Sequence, residues 1–326
     1  MSNETTRREF IQAAALAATG MAAAVQPVSG AQPEPQTPSS ARTMGARFRD
    51  LLRRGQPFEN VGAYDATSAQ LVEAVGFPSV ILGSSTVADH YGRPGWNLIS
   101  LGEYLDFTGS VARSINIPTI VDIELEARQA TLDPLAFYRF VKDAERAGLA
   151  GLHFGDGIDV MGQRKGMLTR NQMIDKIHAA ADARSDLVLI ARCNGFNVEG
   201  MDRTLERAAA YIQAGAEGIY FSPAMPWENL PRAAEAIKAP LAANMAFNIP
   251  MSKVKEARVT IATYLTLLQN LAQTAVYEGL MELKTTGLTV KSSRGQNLGP
   301  GLPADVRAKM RQIAQYTELG KKYNVQ

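Results

Sequence analysis

The sequence predicts a (β/α)8 barrel, and three observations carry that prediction. From about Gly45 onward, eight short apolar runs alternate with amphipathic helical patterns, and strict strand–helix alternation means parallel strands. Helical stretches stop on Gly148 and Gly215 just before the next strand, the usual C-terminal stop signal. Polar residues stand at seven of the eight strand ends. A barrel interior filled only for stability would show Val, Ile and Leu there, so a ligand pocket is expected at that end. A doubly wound open sheet is the competing architecture. It would bring a Gly-rich phosphate turn after the first strand, and "AYDATS" is not one.

The elements follow in order. "VGAY" (61–64) ends at Tyr64 and Asp65, with Asp65 placed to cap the helix beginning near Thr67. "SVILGS" (79–84) ends at Ser84 and Ser85, and "ADHYGRPGW" then offers His90, Tyr91 and Trp96 as a loop over the site. Trp96 points to a more apolar or aromatic ligand than a small dicarboxylate. "TIVDIE" (119–124) places Asp122 and Glu124 two positions apart, hence on one face of the strand. Two such carboxylates repel unless a cation, a shared proton or a donor lies between them. "GLHFGD" (151–156) supplies His153 and Asp156, and "LVLIARCN" (187–194) supplies Arg192 and Asn194. Cys193 lies between those two and is expected to point away from the face of Arg192. "GIYFSP" (218–223), "LAANMA" (241–246) and "IATYLT" (261–266) complete the set, with Ser222 and Asn244 at strand ends. His178 falls on a helix, as surface or core.

The chain has 326 residues, 46% hydrophobic and 20% charged, which suits a globular protein with one large core. Its 34 basic and 32 acidic residues nearly balance and form no basic run, so nucleic acid is not an expected partner. One cysteine excludes an intrachain disulfide and any multi-cysteine metal site. The three histidines show no H-x-x-x-H spacing. At the N-terminus, "TTRREFIQAAALAATGMAAA" sets Arg7-Arg8 before Phe10 and an Ala-rich run. We read residues 1–31 as a twin-arginine signal, cleaved after Ala24 or Ala31, and the plainer alternative is an Ala-rich terminal helix. Residues 32–44 read as a Pro/Ser-rich linker and 45–326 as the barrel with a C-terminal helical extension. A periplasmic or otherwise exported protein follows, with no stable membrane insertion after signal removal. Export of a folded chain is compatible with the lack of disulfides.

The string of strand ends resembles the isocitrate lyase/phosphoenolpyruvate mutase family from Phe48 to Gly287. The matching stretches include "GAYDATSAQLVEAVGFPSVILGSSTVA", "PTIVDIE", "ERAGLAGLHFGDG", "LVLIARCNGFNVEGMDRTLERAAAYIQAGAEGIY" and "PLAANMA". The resemblance implies Mg²⁺-dependent barrels, with Mn²⁺ as a possible substitute, that make or break C–C or C–P bonds beside a 2-oxo or 2-hydroxy acid. It also implies a homo-oligomer with a helix exchanged between subunits; "PADVRAKMRQIAQYTELGKKY" is the candidate for that exchange. Residue by residue, Asp122 falls on the first carboxylate of the family's D-x-D metal motif, and Glu124 replaces the second. His153 matches the histidine of "HIED", Arg192 the carboxylate-binding arginine of "ARTDA", and Asn244 the asparagine of "LAN". Ser84 and Ser85 fall where the family offers backbone donors to its substrate.

Four departures limit the transfer. Gly155 stands where the family has a metal-shell glutamate, and Gly95 where it has a loop acid. Cys193-Asn194 replaces a threonine–aspartate pair, and "IDVMGQRKGML" lacks the Cys and His of the lyase loop. That loop cysteine protonates the carbanion in isocitrate-type cleavage, so isocitrate lyase activity is not expected. The reading is therefore a divergent Mg²⁺-dependent lyase or hydrolase of a small carboxylic acid. Asp122 and Glu124 are the metal ligands, and Asp156 or Asp159 is a candidate third ligand or plain turn chemistry. Arg192, Asn244, Ser84, Ser85 and Tyr64 bind substrate, and His153 carries the proton. Four readings stay open against it: an Arg partner for Glu124 with no metal, a barrel His153 satisfied by its neighbours, an exported non-catalytic carboxylate-binding protein, and a metal-free barrel enzyme with a decayed family metal site.

Overall fold

The computed structural model describes residues 42–123, 133–160, 163–221, 225–245, 248–293 and 302–323. Eight parallel strands close into a barrel. In chain order they are β1 (Phe58–Gly62), β2 (Ser79–Gly83), β3 (Thr119–Ile123), β4 (Gly151–Gly155), β7 (Val188–Cys193), β8 (Gly218–Phe221), β9 (Leu241–Asn244) and β10 (Ile261–Tyr264). Two further strands, β5 (Gly157–Val160) and β6 (Gln163–Met167), form a separate antiparallel hairpin between β4 and β7. The predicted barrel is therefore the observed one. The hairpin stands where the sequence suggested a loop, because its residues carry no apolar run to mark strands.

The first strand begins three residues earlier than "VGAY" suggested, at Phe58. Glu59 and Asn60 hid it, since a buried asparagine is unusual in a core strand. Asn60 is fully buried and accepts a hydrogen bond from Ser79 Oγ at 2.9 Å, which satisfies its carbonyl oxygen.

The helices, in chain order, begin with α1 (Met44–Arg53) ahead of β1, then α2 (Ala66–Val75), α3 (Ser84–His90), α4 (Leu101–Arg113), α5 (Pro134–Arg146), α6 (Arg170–Ala183) and α7 (Phe196–Gln213). After them come α8 (Leu230–Ile237), α9 (Met251–Glu256), α10 (Leu267–Thr286), α11 (Ala304–Met310) and α12 (Ile313–Lys322). Asp65 caps α2 by accepting from the Ser68 amide at 2.6 Å, so it serves the helix it was expected to start. Ser100 and Thr169 build the same reciprocal box at the starts of α4 and α6.

Strand alternation divides the apolar residues into two cores. Inward-facing Phe58, Ile81, Ile120, Val188, Ile190, Tyr220, Ala242 and Ile261 fill the barrel. Phe48, Leu51 and Leu52 of α1 join that cluster and plug its N-terminal end. Arg49 anchors the plug with hydrogen bonds to Glu217 at 2.7 and 2.9 Å and to Asp186. The outward faces pack against the helices in the second, larger core. With one end plugged, the mouth at the C-terminal strand ends is where a ligand can enter.

α10 behaves differently from the other helices. Leu271, Val276, Tyr277 and Leu280 are each at least 60% exposed, an apolar helix with little of the barrel against it. No helix among the described residues is long and apolar enough to cross a membrane.

Candidate active site

Three strands bring their polar ends together. β3 and β4 pair so that Asp122 stands beside His153, and β4 pairs with β7 so that Gly155 stands beside Arg192. Asp122 and His153 are almost wholly buried, at 4% and 3% exposure. Asp122 Oδ1 lies 3.2 Å from His153 Nδ1, and Asp122 Oδ2 lies 3.6 Å from Arg192 Nη1. Burial works to raise the Asp122 pKa, but the charges of His153, when protonated, and of Arg192 outweigh it. The carboxyl is held below its usual range.

Close approach is not the same as hydrogen bonding here. Neither Asp122 Oδ1 nor either ring nitrogen of His153 makes a hydrogen bond among the described residues. Buried polar atoms are normally satisfied, so such atoms clustered at a barrel mouth mark a place built for something else. The inward face of β8 adds Tyr220, whose ring centroid is 4.3 Å from that of His153. The guanidinium carbon of Arg192 lies 5.7 Å from the centre of the same ring. Tyr220 was not anticipated. Its only sequence signal is parity, since it falls two positions after Gly218, on the inward side.

The backbone beneath Asp122 is fixed from two directions. Ser84 Oγ donates to the Asp122 carbonyl oxygen at 2.9 Å, and Tyr104 OH donates to the same oxygen at 3.1 Å. Ser84 thus has a side-chain role that its expected backbone role did not include. Gly83, ahead of α3, provides no side-chain cap to that helix. Tyr64 is half-buried just after β1, Ser85 is half-buried in α3, and Asn244 is exposed at the end of β9. These three are more open to solvent than Asp122 and His153. Glu124 and Arg128 lie outside the described residues, as does Ser222.

A second acid-centred cluster forms just after the end of β4. Asp156 is fully buried, and its Oδ1 accepts from the Asn194 amide and from Asn194 Nδ2, both at 2.9 Å. Its Oδ2 accepts from Tyr211 OH at 2.7 Å and lies 3.5 Å from Arg207 Nη1. Arg207 in turn pairs with both carboxylate oxygens of Glu199 and donates to the Leu168 carbonyl at 3.1 Å. Just after Glu199, Gly200 with φ 77° breaks the helical run between Phe196 and Gln213. Asp156 is therefore neither a spare metal ligand nor a turn residue, because protein donors occupy both of its oxygens. For Asp159 only the backbone is described, in β5.

The remaining candidates separate cleanly. Cys193 faces the outer core, where Sγ lies 3.8 Å from the Thr204 carbonyl, and burial pushes its thiol well above the usual range. It therefore offers no proton to the mouth. The His90 ring packs against Tyr91 and Phe107, with centroids 4.9 and 4.4 Å away. Trp96 is half-buried and His178 is exposed on α6. Lys176 on α6, 1% exposed, donates to the Gly155 carbonyl at 3.3 Å with Phe137 and Phe154 around its ammonium.

The residues present fit a hard cation held through few protein oxygens. Among the described residues no three His, Cys, Asp or Glu side chains form a closed metal cage. Mg²⁺ does not need one, since it retains several waters and binds through one or two carboxylates. Asp122 Oδ1 is a buried carboxylate oxygen that makes no hydrogen bond among the described residues, which is the kind of donor such an ion uses.

Fold and geometry together define a (β/α)8 barrel in which an acid, a histidine and an arginine meet at the C-terminal strand ends. A family model described as phosphoenolpyruvate phosphomutase matches residues 48–284, and the chain belongs to that family. A 2-methylisocitrate lyase from Shewanella oneidensis is 32% identical over 211 residues, 63% of this chain and 71% of the relative. A 2,3-dimethylmalate lyase from Eubacterium barkeri is 29% identical over 209 residues, 61% of this chain and 70% of the relative. The structure of an oxaloacetate acetylhydrolase with its product oxalate superposes with a TM-score of 0.73 at 25% identity. That superposition covers 86% of this chain and 98% of the other.

Proposed function

We propose that this chain is a Mg²⁺-assisted lyase or hydrolase that cleaves a C–C or C–P bond beside a 2-oxo or 2-hydroxy carboxylic acid. One observation carries the reading: Asp122, His153 and Arg192 meet at the barrel mouth, and among the described residues Asp122 Oδ1 and both His153 ring nitrogens make no hydrogen bond. The relatives support it, being lyases and a hydrolase named for small carboxylic acids.

Each residue then has a task. Arg192 offers a planar fork that suits bidentate binding of the substrate carboxylate. The Tyr220 ring under both Arg192 and His153 restricts the directions in which they can reach. Asp122, with Glu124 as its sequence neighbour, would hold Mg²⁺, which supplies Lewis-acid stabilisation of negative charge on the substrate's oxo oxygen. When the bond breaks, its electron pair stays on one carbon, stabilised by the neighbouring oxo or carboxylate group. The other fragment leaves as a carbonyl compound as its hydroxyl loses a proton, or takes up water in a hydrolase. The electron-rich carbon then takes a proton. His153 is placed to deliver it, since its ring nitrogens make no hydrogen bond among the described residues and Nδ1 lies 3.2 Å from Asp122 Oδ1. Dry walls strengthen these charges relative to water.

The test is a substrate screen of 2-oxo and 2-hydroxy acids with Mg²⁺ present, read by product formation. The reading fails if His153→Gln and Asp122→Ala turn over a hit as fast as the wild type.

Two further parts of the reading concern where the protein works. Arg7-Arg8 and the following Ala-rich run support export by a twin-arginine signal. Replacing both arginines with lysine should trap the precursor inside the cell, as fractionation would show. The exposed apolar face of α10 supports a homo-oligomer. A monomer in sedimentation equilibrium would refute that.

A further inference from the structure

α10 is joined to the barrel in a way that its exposed apolar face does not suggest. Of the described residues of α10, only Gln269 is buried, at 9% exposure. A helix held by packing alone buries an apolar stripe, so a glutamine in that place needs partners. It has two, both on α3. Thr86 Oγ1 donates to Gln269 Oε1 at 2.8 Å, and Gln269 Nε2 donates to the Asp89 carboxylate. The amide can face only one way. A carboxylate accepts hydrogen bonds and does not donate them, so Nε2 faces Asp89 and Oε1 accepts from the Thr86 hydroxyl. Two directed bonds fix both the position and the rotation of α3 against α10, which apolar contact alone does not.

α3 carries that constraint to Asp122. It has seven residues, too few for a helix to hold its place unaided. It starts directly after Gly83, which stands beside Asp122 in the pairing of β2 with β3. Its first residue, Ser84, donates to the Asp122 carbonyl oxygen at 2.9 Å. α3 is thus tied to α10 through Thr86 and Asp89 and grips the backbone of the buried acid through Ser84. Thr86 is 2% exposed, so losing its acceptor is costly unless α3 moves or water enters.

We infer that Gln269 is a positioning residue for the Asp122 site: through α3 and Ser84 it sets where Asp122 stands, and so couples the first turn of α10 to metal-assisted ligand binding. This rests on the carboxylic-acid reading above and adds to it a residue on another helix on which the site depends. Misplacing a reacting group by about 1 Å can cost about 10²-fold, so a small movement of α3 is enough.

The experiment uses the full chain, with oxalate as the carboxylate probe titrated calorimetrically in Mg²⁺ and in EDTA. The ratio of the two affinities is the readout, and sedimentation equilibrium at the same concentration gives the association state. Gln269→Ala should lower the ratio by about tenfold or more with the association state unchanged. Thr86→Val, which keeps the shape and removes the hydroxyl, should lower it in the same direction by a smaller factor. Gln269→Glu sets a second carboxylate against Asp89 and should also lower it. Adding Asp89→Asn to that variant should restore most of the loss, because the new amide donates to the new carboxylate while Thr86 keeps an acceptor.

A purely structural role for Gln269 would lower the thermal midpoint of Gln269→Ala and leave the ratio at its wild-type value. That result overturns the inference and leaves the carboxylic-acid reading standing. So does a ratio that falls only with dissociation into a smaller species, or a double variant as impaired as Gln269→Glu. If Gln269→Ala does not fold, Thr86→Val and the double variant decide by the same criteria. A wild type that binds oxalate no better in Mg²⁺ than in EDTA, or not at all, overturns both.

Discussion

Two buried acids, Asp122 and Asp156, stand at the ends of adjacent strands, and they are built in opposite ways. Asp156 receives hydrogen bonds from Asn194 and Tyr211, with Arg207 close by, and Arg207 is itself tied to Glu199. Asp122 has His153 and Arg192 on two sides, at 3.2 and 3.6 Å, yet among the described residues its Oδ1 makes no hydrogen bond. The lesson is that burial and charge alone do not mark a functional acid. What separates the two is satisfaction: a fully satisfied network makes the structure rigid, and an unsatisfied one leaves capacity for a ligand.

The sharpest way to break this comparison is to remove each acid. Asp122→Ala should lower turnover of an identified substrate by about 10²–10³, the scale of losing one preorganised electrostatic partner. Its thermal midpoint should fall much less than that of Asp156→Ala. The latter leaves Arg207, Tyr211 and Asn194 without their acceptor and should cost about 3–5 kcal/mol in urea unfolding. If the two variants exchange these signatures, the assignment of roles is reversed.

A milder test uses pH. The hydrogen bond from Arg207 holds the Glu199 carboxyl below its usual range, against the opposing effect of burial. A depressed folded pKa contributes stability that is fully present above the unfolded value, near about 4.3. That contribution disappears as pH falls through the still lower folded value. Thermal midpoints of wild type and Glu199→Gln should therefore differ at neutral pH and converge below about pH 4. The gap should be smaller than that caused by Asp156→Ala, since Glu199 keeps a quarter of its side chain in solvent. Smallest of all, Cys193→Ala should leave activity unchanged and cost about 1 kcal/mol of stability, because its thiol packs in the outer core.

Much of this was legible in the sequence. The eight strands, the Asp65 cap and the outward Cys193 follow from periodicity, and the family resemblance placed Asp122, His153 and Arg192 on strand ends that the fold brings together. The rest was hidden for identifiable reasons. The β5–β6 hairpin has no apolar alternation, and Glu59 and Asn60 disguised the start of β1. Asp156 read as turn chemistry because its partners Tyr211 and Arg207 are more than fifty residues away in sequence. Tyr220 looked like an ordinary strand aromatic until the barrel closed over His153. Local patterns report faces and ends of elements, whereas hydrogen-bond partners across the barrel appear only once it is folded.

One measurement bears most directly on the central claim that Asp122 is the acid of a ligand site. Oxalate is titrated calorimetrically into wild type and Asp122→Ala, each with Mg²⁺ and with EDTA. The account predicts that Mg²⁺ tightens oxalate binding to the wild type and that this enhancement is absent in Asp122→Ala. An enhancement of equal size in both proteins, or none in the wild type, would contradict it.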